Sequence, residues 1–379
     1  MKLIPLAQVS HALRAGVTLP WGVRDSNGSL LLAKGYVLSD EAELNSLLER
    51  GMFVDAADAA KAAKAGSRPE STAVRVENMS GRWAGLEARL ASLLRSSTER
   101  YFLQRVNESI EPIAALADGN ADLLIFLILR HDHSRLLNYG VVHSLHAAAL
   151  CSLLTRRLGW PEPQRQSLIG AALTMNLHML ELQGSLAVRG SVPTEAEREV
   201  IIEHPLASAR LLRDAGLSDT DWLSTVEQHH ENASGTGYPI GLTQPSEMAR
   251  LLHFVDCFTA KHSPRARRKP QPAQKAAREL FIQSGGDPLA ALIIKEFGIY
   301  PPGVYVQLAN GETAVVTQRG ATANAPIVAA ITNKNGDQLA HPARRDTSMA
   351  PHAIVSTLPE TAIKVRVGVD DLYDRQANR

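Results

Sequence analysis

From about residue 79 to residue 297 the apolar positions return every three or four residues, the spacing of one helical face. Trp83, Leu86, Leu90, Leu93 and Leu94 mark one amphipathic helix, and residues 141–158 and 166–182 supply two more. The apolar run 123–129, bounded by Asp122 and Arg130, is far too short for a bilayer span and reads as a buried helix. The pattern differs on either side of this region. Residues 21–23 and 30–32 flank Asp25-Ser26-Asn27-Gly28, a hairpin turn signal. Ser39-Asp40-Glu41 then opens a short helix striped by Leu44, Leu47 and Leu48. After Tyr300-Pro301-Pro302-Gly303 the period falls to two. Residues 304–308 and 313–316 form a hairpin across Asn310-Gly311, and 327–331 with a turn at Asn335-Gly336 adds a third strand. The expectation is a mainly α fold: a small N-terminal α+β domain over 1–57, an Ala-, Lys- and Ser-rich linker over 58–80 and a helical domain over 81–300. A small β appendage over 301–345 and a tail over 346–379 complete it.

Composition narrows the function classes. With 379 residues, 45% hydrophobic and 21% charged, the chain has ample material for a large core and no bias towards disorder. A net charge of +1 argues against a nucleic-acid binder, which usually carries a marked basic excess. Two cysteines, Cys151 and Cys257, are too few for a disulfide framework and lack Cys-x-x-Cys spacing, so a reducing cytoplasm is expected. The N-terminus shows no apolar signal region, and no membrane span is expected.

The chemistry concentrates at His229-His230-Glu231-Asn232-Ala233-Ser234-Gly235-Thr236-Gly237-Tyr238-Pro239. Adjacent histidines on a helix point about 100° apart, so the pair addresses two ions, or one ion and a substrate. This segment resembles the signature of the HD-GYP family, cyclic di-GMP phosphodiesterases and related receptors, which reads HHE-x-x-DG-x-GYP. Ser234 stands where that family has Asp. The resemblance runs in order over about 130–345: His143, the Gly170-Ala171-Ala172-Leu173 helix, His204-Pro205, His229-His230, Asp256 and the Tyr-Pro-Pro-Gly junction. It implies an all-helical HD-type domain in which His143, His204, His229, His230 and Asp256 gather around two or three ions, commonly iron or manganese. Two ions about 3.5–4 Å apart clamp a phosphodiester and activate water.

The defining His-Asp pair, followed in the family by x-Gly-Lys, is replaced. Thr174 stands for the histidine ligand, Met175 for the bridging carboxylate and His178 for the lysine. A thioether is soft and neutral and supplies no anionic oxygen bridge, so no catalytic residue is assigned and metal occupancy is expected to be reduced or lost. His131-Asp132 lies before His143, outside the family order, and reads as a loop pair.

Ordinary readings stand beside these. His143 on its apolar helix also fits a hydrogen-bonded core histidine, as His146 does. His204-Pro205 also fits a polar residue before a first helical turn. The charge of Asp256, in an apolar run, needs either a metal or a salt bridge to Arg265 or His143. Arg265 and Arg268 match the family's phosphate-contacting arginines, and a solvated loop fits them too. Gly235, Gly237, Tyr238 and Pro239 form a tight turn, which the resemblance makes a ligand-binding edge or a docking site for GGDEF-class proteins.

Three functions follow. The first is a non-hydrolytic member acting as a cyclic di-GMP sensor or docking regulator. The second is an active metal-dependent phosphodiesterase in which His178, sharing a helix face with Thr174, replaces lost coordination. The third is an assembly module without ligand, its small N-terminal domain supplying the contacts. Homo-oligomerisation is compatible with each.

Overall fold

The structure, a computed structural model, describes residues 3–13, 19–32, 34, 36, 47–48, 52–59, 79–130, 136–266, 270–365 and 367–373. The expected helix from Ser39, most of the linker, the His131-Asp132 pair and Arg268 lie outside the described residues. The chain divides into two compact units. Residues 83–303 make one, and 1–82 together with 304–379 make the other.

In the second of these units, strands β1 (Leu3–Pro5), β2 (Val23–Arg24), β3 (Leu30–Leu32) and β4 (Phe53–Asp55) form an antiparallel sheet in the order β1-β4-β2-β3. Asp25 Oδ1 accepts from the backbone N–H groups of Asn27 and Ser29, and Gly28 takes φ 83°, so the predicted hairpin turn forms between β2 and β3. Leu6, Leu13, Leu19, Trp21, Val23, Leu32, Val54 and Ala59 pack as its core. Towards the C-terminus, β5 (Tyr305–Leu308), β6 (Thr313–Gln318), β7 (Ile327–Thr332), β8 (Gln338–Asp346) and β9 (Ile354–Leu358) form an antiparallel sheet in the order β8-β7-β6-β5-β9. The segment 346–379, read as a tail, therefore contributes an edge strand. The β9 residues pair with β5, Tyr305 opposite Leu358 and Gln307 opposite Ser356. Its middle three residues are exposed, so it lacks the alternation of a core strand.

The helical unit holds α1 (Met79–Leu94), α2 (Phe102–Gly119), α3 (Ala121–Leu129), α4 (Tyr139–Leu158), α5 (Glu162–Thr174) and α6 (Leu180–Arg189). It continues with α7 (Glu195–Asp214), α8 (Thr220–Gln228), α9 (Glu247–His262), α10 (Ala273–Gln283) and α11 (Pro288–Phe297). The α1 stripe is buried at all five expected positions, and every residue of 123–129 is buried in α3. By length and composition Leu136–Leu158 would suffice to cross a bilayer, but 78% of its most apolar window is buried inside the fold, as in the core helix of a globular unit. Around α4 pack α5, α9, α2 and α6. The predicted helix over 166–182 is two helices. It stops at Thr174, passes through a 3-10 turn at Leu177–Met179 and restarts at Leu180.

Candidate functional site

The break after Thr174 decides where Thr174, Met175 and His178, the positions expected to stand for the family's His-Asp pair and lysine, come to lie. Thr174 Oγ1 donates to the Gly170 carbonyl at 2.7 Å and accepts the indole N–H of Trp222 at 2.8 Å. Asp219 caps α8 and sets that indole. One of its carboxylate oxygens accepts from Trp222 N at 2.9 Å and the other from the Ser167 hydroxyl at 2.6 Å. The ring lies flat against Gly170, where a Cβ would come within 2.3 Å of it. Thr174 and Met175 are fully buried. His178 is exposed, in the 3-10 turn, with its backbone N–H on Ser208 Oγ. Thr174 and His178 thus do not share a helix face. The rescue of coordination by His178 loses its geometric basis.

Three of the five expected ligands converge. The ring nitrogens of His204, His229 and His230 include one atom from each that lie within 4.8 Å of one another, the one such group of three among the described residues. His204 is not at a helix start. His204-Pro205 sits inside α7, whose start is the capping box of Thr194 and Glu197. Proline has no N–H for the carbonyl four residues back, that of Ile201. The Ile201 oxygen instead accepts His204 Nδ1–H at 2.5 Å. His229, at the C-cap of α8, uses the same device. The terminal carbonyls of a helix lack intrahelical donors, and Val226 O accepts His229 Nδ1–H at 2.7 Å. Both imidazoles therefore carry their proton on Nδ1. The carbonyl of His229 in turn accepts from His253 Nδ1 at 2.8 Å.

Burial, with the neighbouring imidazoles, pushes His204 down to about 3 and His230 well below the ordinary histidine range; burial pushes His229 down to about 4 against the pull of Asp256. All three are neutral at pH 7. The Nε2 atoms of His204 and His229 approach to 3.2 Å with no proton available between them, two lone pairs facing one another. Such a contact is satisfied by a cation. Three neutral imidazoles, two of them oriented by backbone carbonyls, fit one divalent ion of the kind that favours nitrogen donors. They would hold it, and the ion would supply a Lewis-acidic centre for a phosphate oxygen. Met175 provides no bridging oxygen for a second.

The Gly-Tyr-Pro loop is bound to this cluster. Tyr238 stacks on His230, ring centroids 4.4 Å apart and planes 21° apart. Gly237 passes so close that a Cβ would meet the His230 carbonyl at 2.5 Å. Glu231, 1% exposed, braces the loop, its two carboxylate oxygens accepting from Ile240 N at 2.8 Å and Leu242 N at 2.9 Å. Gly235 takes φ 70°. Ser234, in the family's Asp position, is exposed and bonds Asn232 and Thr236 within the turn. Ile240, just beyond Pro239, is 69% exposed.

His143 and Asp256 form a pair, His143 Nε2 to Asp256 Oδ1 at 2.7 Å. Burial alone would raise the Asp256 carboxyl, but the His143 hydrogen bond and nearby imidazoles hold it far below the carboxylate range. Arg265 does not reach Asp256's carboxylate in place of His143; it bonds the Tyr139 hydroxyl at 2.7 Å. His146 is a buried ring stacked on Trp83 and pushed down to about 3 by burial, with His262 and His143 adding to the shift. Trp222, Tyr139, Glu231 and His253 were not singled out from the sequence. Tyr139 lies one turn before His143 and His253 three residues before Asp256, so helical spacing from an expected ligand would have pointed to both.

Residues 127–287 match the HD domain family. The chain is 29% identical over 227 residues to the cyclic di-GMP phosphodiesterase PA4108 of Pseudomonas aeruginosa, covering 57% of this chain and 54% of that protein. It is 32% identical over 106 residues to the cyclic di-GMP phosphodiesterase PdeB of Borreliella burgdorferi, 28% of each chain. It is 28% identical over 175 residues to the 3'3'-cGAMP-specific phosphodiesterase 3 of Vibrio cholerae, 45% of this chain and 38% of that one. The chain thus spans about half or less of the length of these relatives. Among solved structures, Bd1817, an HDG"Y"P protein from Bdellovibrio bacteriovorus, overlaps 78% of this chain and 97% of its own at 17% identity, with a TM-score of 0.49. Residues 127–287 thus match an HD domain, and the ordered histidines and the Gly-Tyr-Pro loop within that segment, with the curated relatives, support the HD-GYP type for it.

Proposed function

We propose that this chain is a regulatory HD-GYP protein of cyclic dinucleotide signalling, which holds one divalent ion on His204, His229 and His230 and binds cyclic di-GMP without hydrolysing it. The observation that carries the reading is the Trp222–Thr174 bond, 2.8 Å, at the place where the family has a ligand histidine. A side chain committed to the packing of α5 against α8 is not a vacant coordination position, and the buried Met175 beside it offers a soft sulfur where two hard ions need oxygen. The relatives named as phosphodiesterases support the ligand class, PA4108 and PdeB for cyclic di-GMP. Three imidazoles without a carboxylate favour iron over manganese. The loop of Gly235, Gly237, Tyr238 and Pro239, with exposed Ile240 beyond it, is the edge for ligand or for a GGDEF-class partner.

The test uses the full chain, loaded anaerobically with ferrous iron or with manganese. We expect one ion per chain by metal analysis, cyclic di-GMP binding at tens of micromolar by calorimetry, and no turnover. Two or more ions, with turnover that disappears on His230→Ala, would establish the phosphodiesterase reading instead. Absence of cyclic di-GMP binding with the loop intact would leave the assembly reading.

A further inference from the structure

Tyr139 opens α4 and is engaged by Arg265, just beyond α9, and by His143 on its own helix. Its hydroxyl accepts from Arg265 Nη2 at 2.7 Å, and the Arg265 guanidinium lies over its ring, 4.9 Å from the centroid. The ring also stacks on His143, one turn along the same helix, at 5.6 Å and 9°. His143 in turn closes on Asp256 of α9 at 2.7 Å. The backbone beside the arginine is pinned as well, Ala266 N–H donating to the Ala187 carbonyl of α6 at 2.9 Å. Two buried nitrogens in this column, Arg265 Nε and His143 Nδ1, have no hydrogen-bond partner among the described residues. The column is therefore rigid at its centre and unsatisfied at both ends.

An arginine on a mobile chain loses rotamer freedom when it takes a phosphate, typically about 0.5–1.5 kcal/mol per immobilised side chain. Arg265 has lost that freedom beforehand. One end of its planar fork is fixed by the hydroxyl and the ring face, which leaves Nη1 as an oriented donor. The same ring bears on His143, so a shift of Arg265 towards an anion alters the packing that seats His143 against Asp256. We propose that Tyr139 is a positioning residue: it pre-orients Arg265 for a phosphodiester oxygen and transmits occupation of Arg265 to the His143–Asp256 pair. This rests on the proposed binding of cyclic di-GMP by this chain and on the match of Arg265 to the family's phosphate-contacting arginines.

Tyr139→Phe separates the two roles, since it keeps the ring and removes only the hydroxyl. The first measurement needs no nucleotide: phenylglyoxal modification of the full-length protein, followed site by site by peptide mass spectrometry. Arg265 reacts about fivefold faster in Tyr139→Phe than in the wild type, while Arg213, paired with Glu227 elsewhere, is unchanged. The second is calorimetry with cyclic di-GMP, in which Tyr139→Phe weakens binding about fivefold and leaves the ion count unaltered. The third is the His143 ring resonance in histidine-labelled protein. It shifts on adding cyclic di-GMP to the wild type and, because the ring is kept, also in Tyr139→Phe at ligand saturation; a His143 resonance that does not move in the ligand-bound wild type overturns the transmission. An Arg265 reactivity identical in the two proteins overturns the inference even if the nucleotide binds. A wild type that binds no cyclic di-GMP overturns the functional reading and the phosphate role of Arg265, while faster modification in Tyr139→Phe still upholds the tie between the two side chains.

Discussion

Thr174→Val tests whether Thr174, the position expected to stand for a ligand histidine, serves packing. Valine keeps the shape of threonine and removes Oγ1, which accepts the Trp222 indole N–H at 2.8 Å and donates to the Gly170 carbonyl at 2.7 Å. Both Thr174 and Trp222 are buried, at 0% and 3% exposure, so water does not replace the lost acceptor. A buried donor left without a partner costs about 1–3 kcal/mol. The Gly170 carbonyl is less affected, because a carbonyl inside a helix retains its backbone donor. We expect a loss of about 2 kcal/mol, which for a unit of roughly 150–250 residues lowers the melting temperature by about 4–8 °C. Thr174→Ser, which keeps the oxygen, should lose less than about 1 kcal/mol. The assay is urea unfolding followed by tryptophan fluorescence, with Trp222→Phe and the double variant completing a cycle. A coupling between the two sites near zero, or a Thr174→Val variant within about 0.5 kcal/mol of the wild type, would refute the account. The result also governs any attempt to install a His-Asp pair at positions 174 and 175. Thr174→His would remove the indole's acceptor and overfill the space beside Gly170, and Met175→Asp would bury a carboxylate, so the pair is expected to lower stability before it adds a second ion.

Two further outcomes are expected. In chelator-treated protein His146, His204 and His229 sit at about 3, 3 and 4 when folded, against an ordinary value of about 6.5 unfolded. The unfolded chain therefore binds more protons as pH falls below 6.5, and folding stability falls with it. The three together lose about 3 kcal/mol between pH 6.5 and 5.5; urea midpoints that stay level across that interval would contradict the burial of neutral imidazoles. Glu231→Gln replaces one acceptor by an amide that faces a backbone N–H, so Ile240 or Leu242 loses its bond at a cost of about 1–3 kcal/mol. Hydrogen exchange at those two amides should accelerate at least tenfold, and unchanged protection at both would remove Glu231 as the brace of the loop.

The sequence made much of this legible, and the misses share a cause. Periodicity located α1, α4 and the strands β5, β6 and β7, because each buries a regular stripe or alternation against its neighbours. Nothing local marks the end of α5. Neither Gly nor Pro stands at 175–179, and the break reflects tertiary packing of Thr174 against Trp222. The edge strand β9 escaped because exposed residues fill its centre. Pro205 suggested a helix start, since proline prefers the first turn; inside α7 it frees a carbonyl for the adjacent imidazole instead. Of the expected ligands, order along the chain pointed to His204, His229 and His230, whose ring nitrogens converge. It could not assign His143 and Asp256 to a metal or to one another, as that depends on a 2.7 Å approach between α4 and α9.

The two backbone carbonyls that orient His204 and His229 have a consequence for charge. A ligand set of three neutral imidazoles brings no negative charge to a divalent cation, whereas each carboxylate ligand would cancel one unit. Asp256, the nearby anion, is already engaged with His143. A cation seated on these nitrogens, two of them from fully buried rings, would keep nearly its full double charge, and away from bulk solvent its attraction to a phosphodiester would be much stronger. In that form the centre is an anion trap, and its grip on ligand would tighten as ionic strength falls.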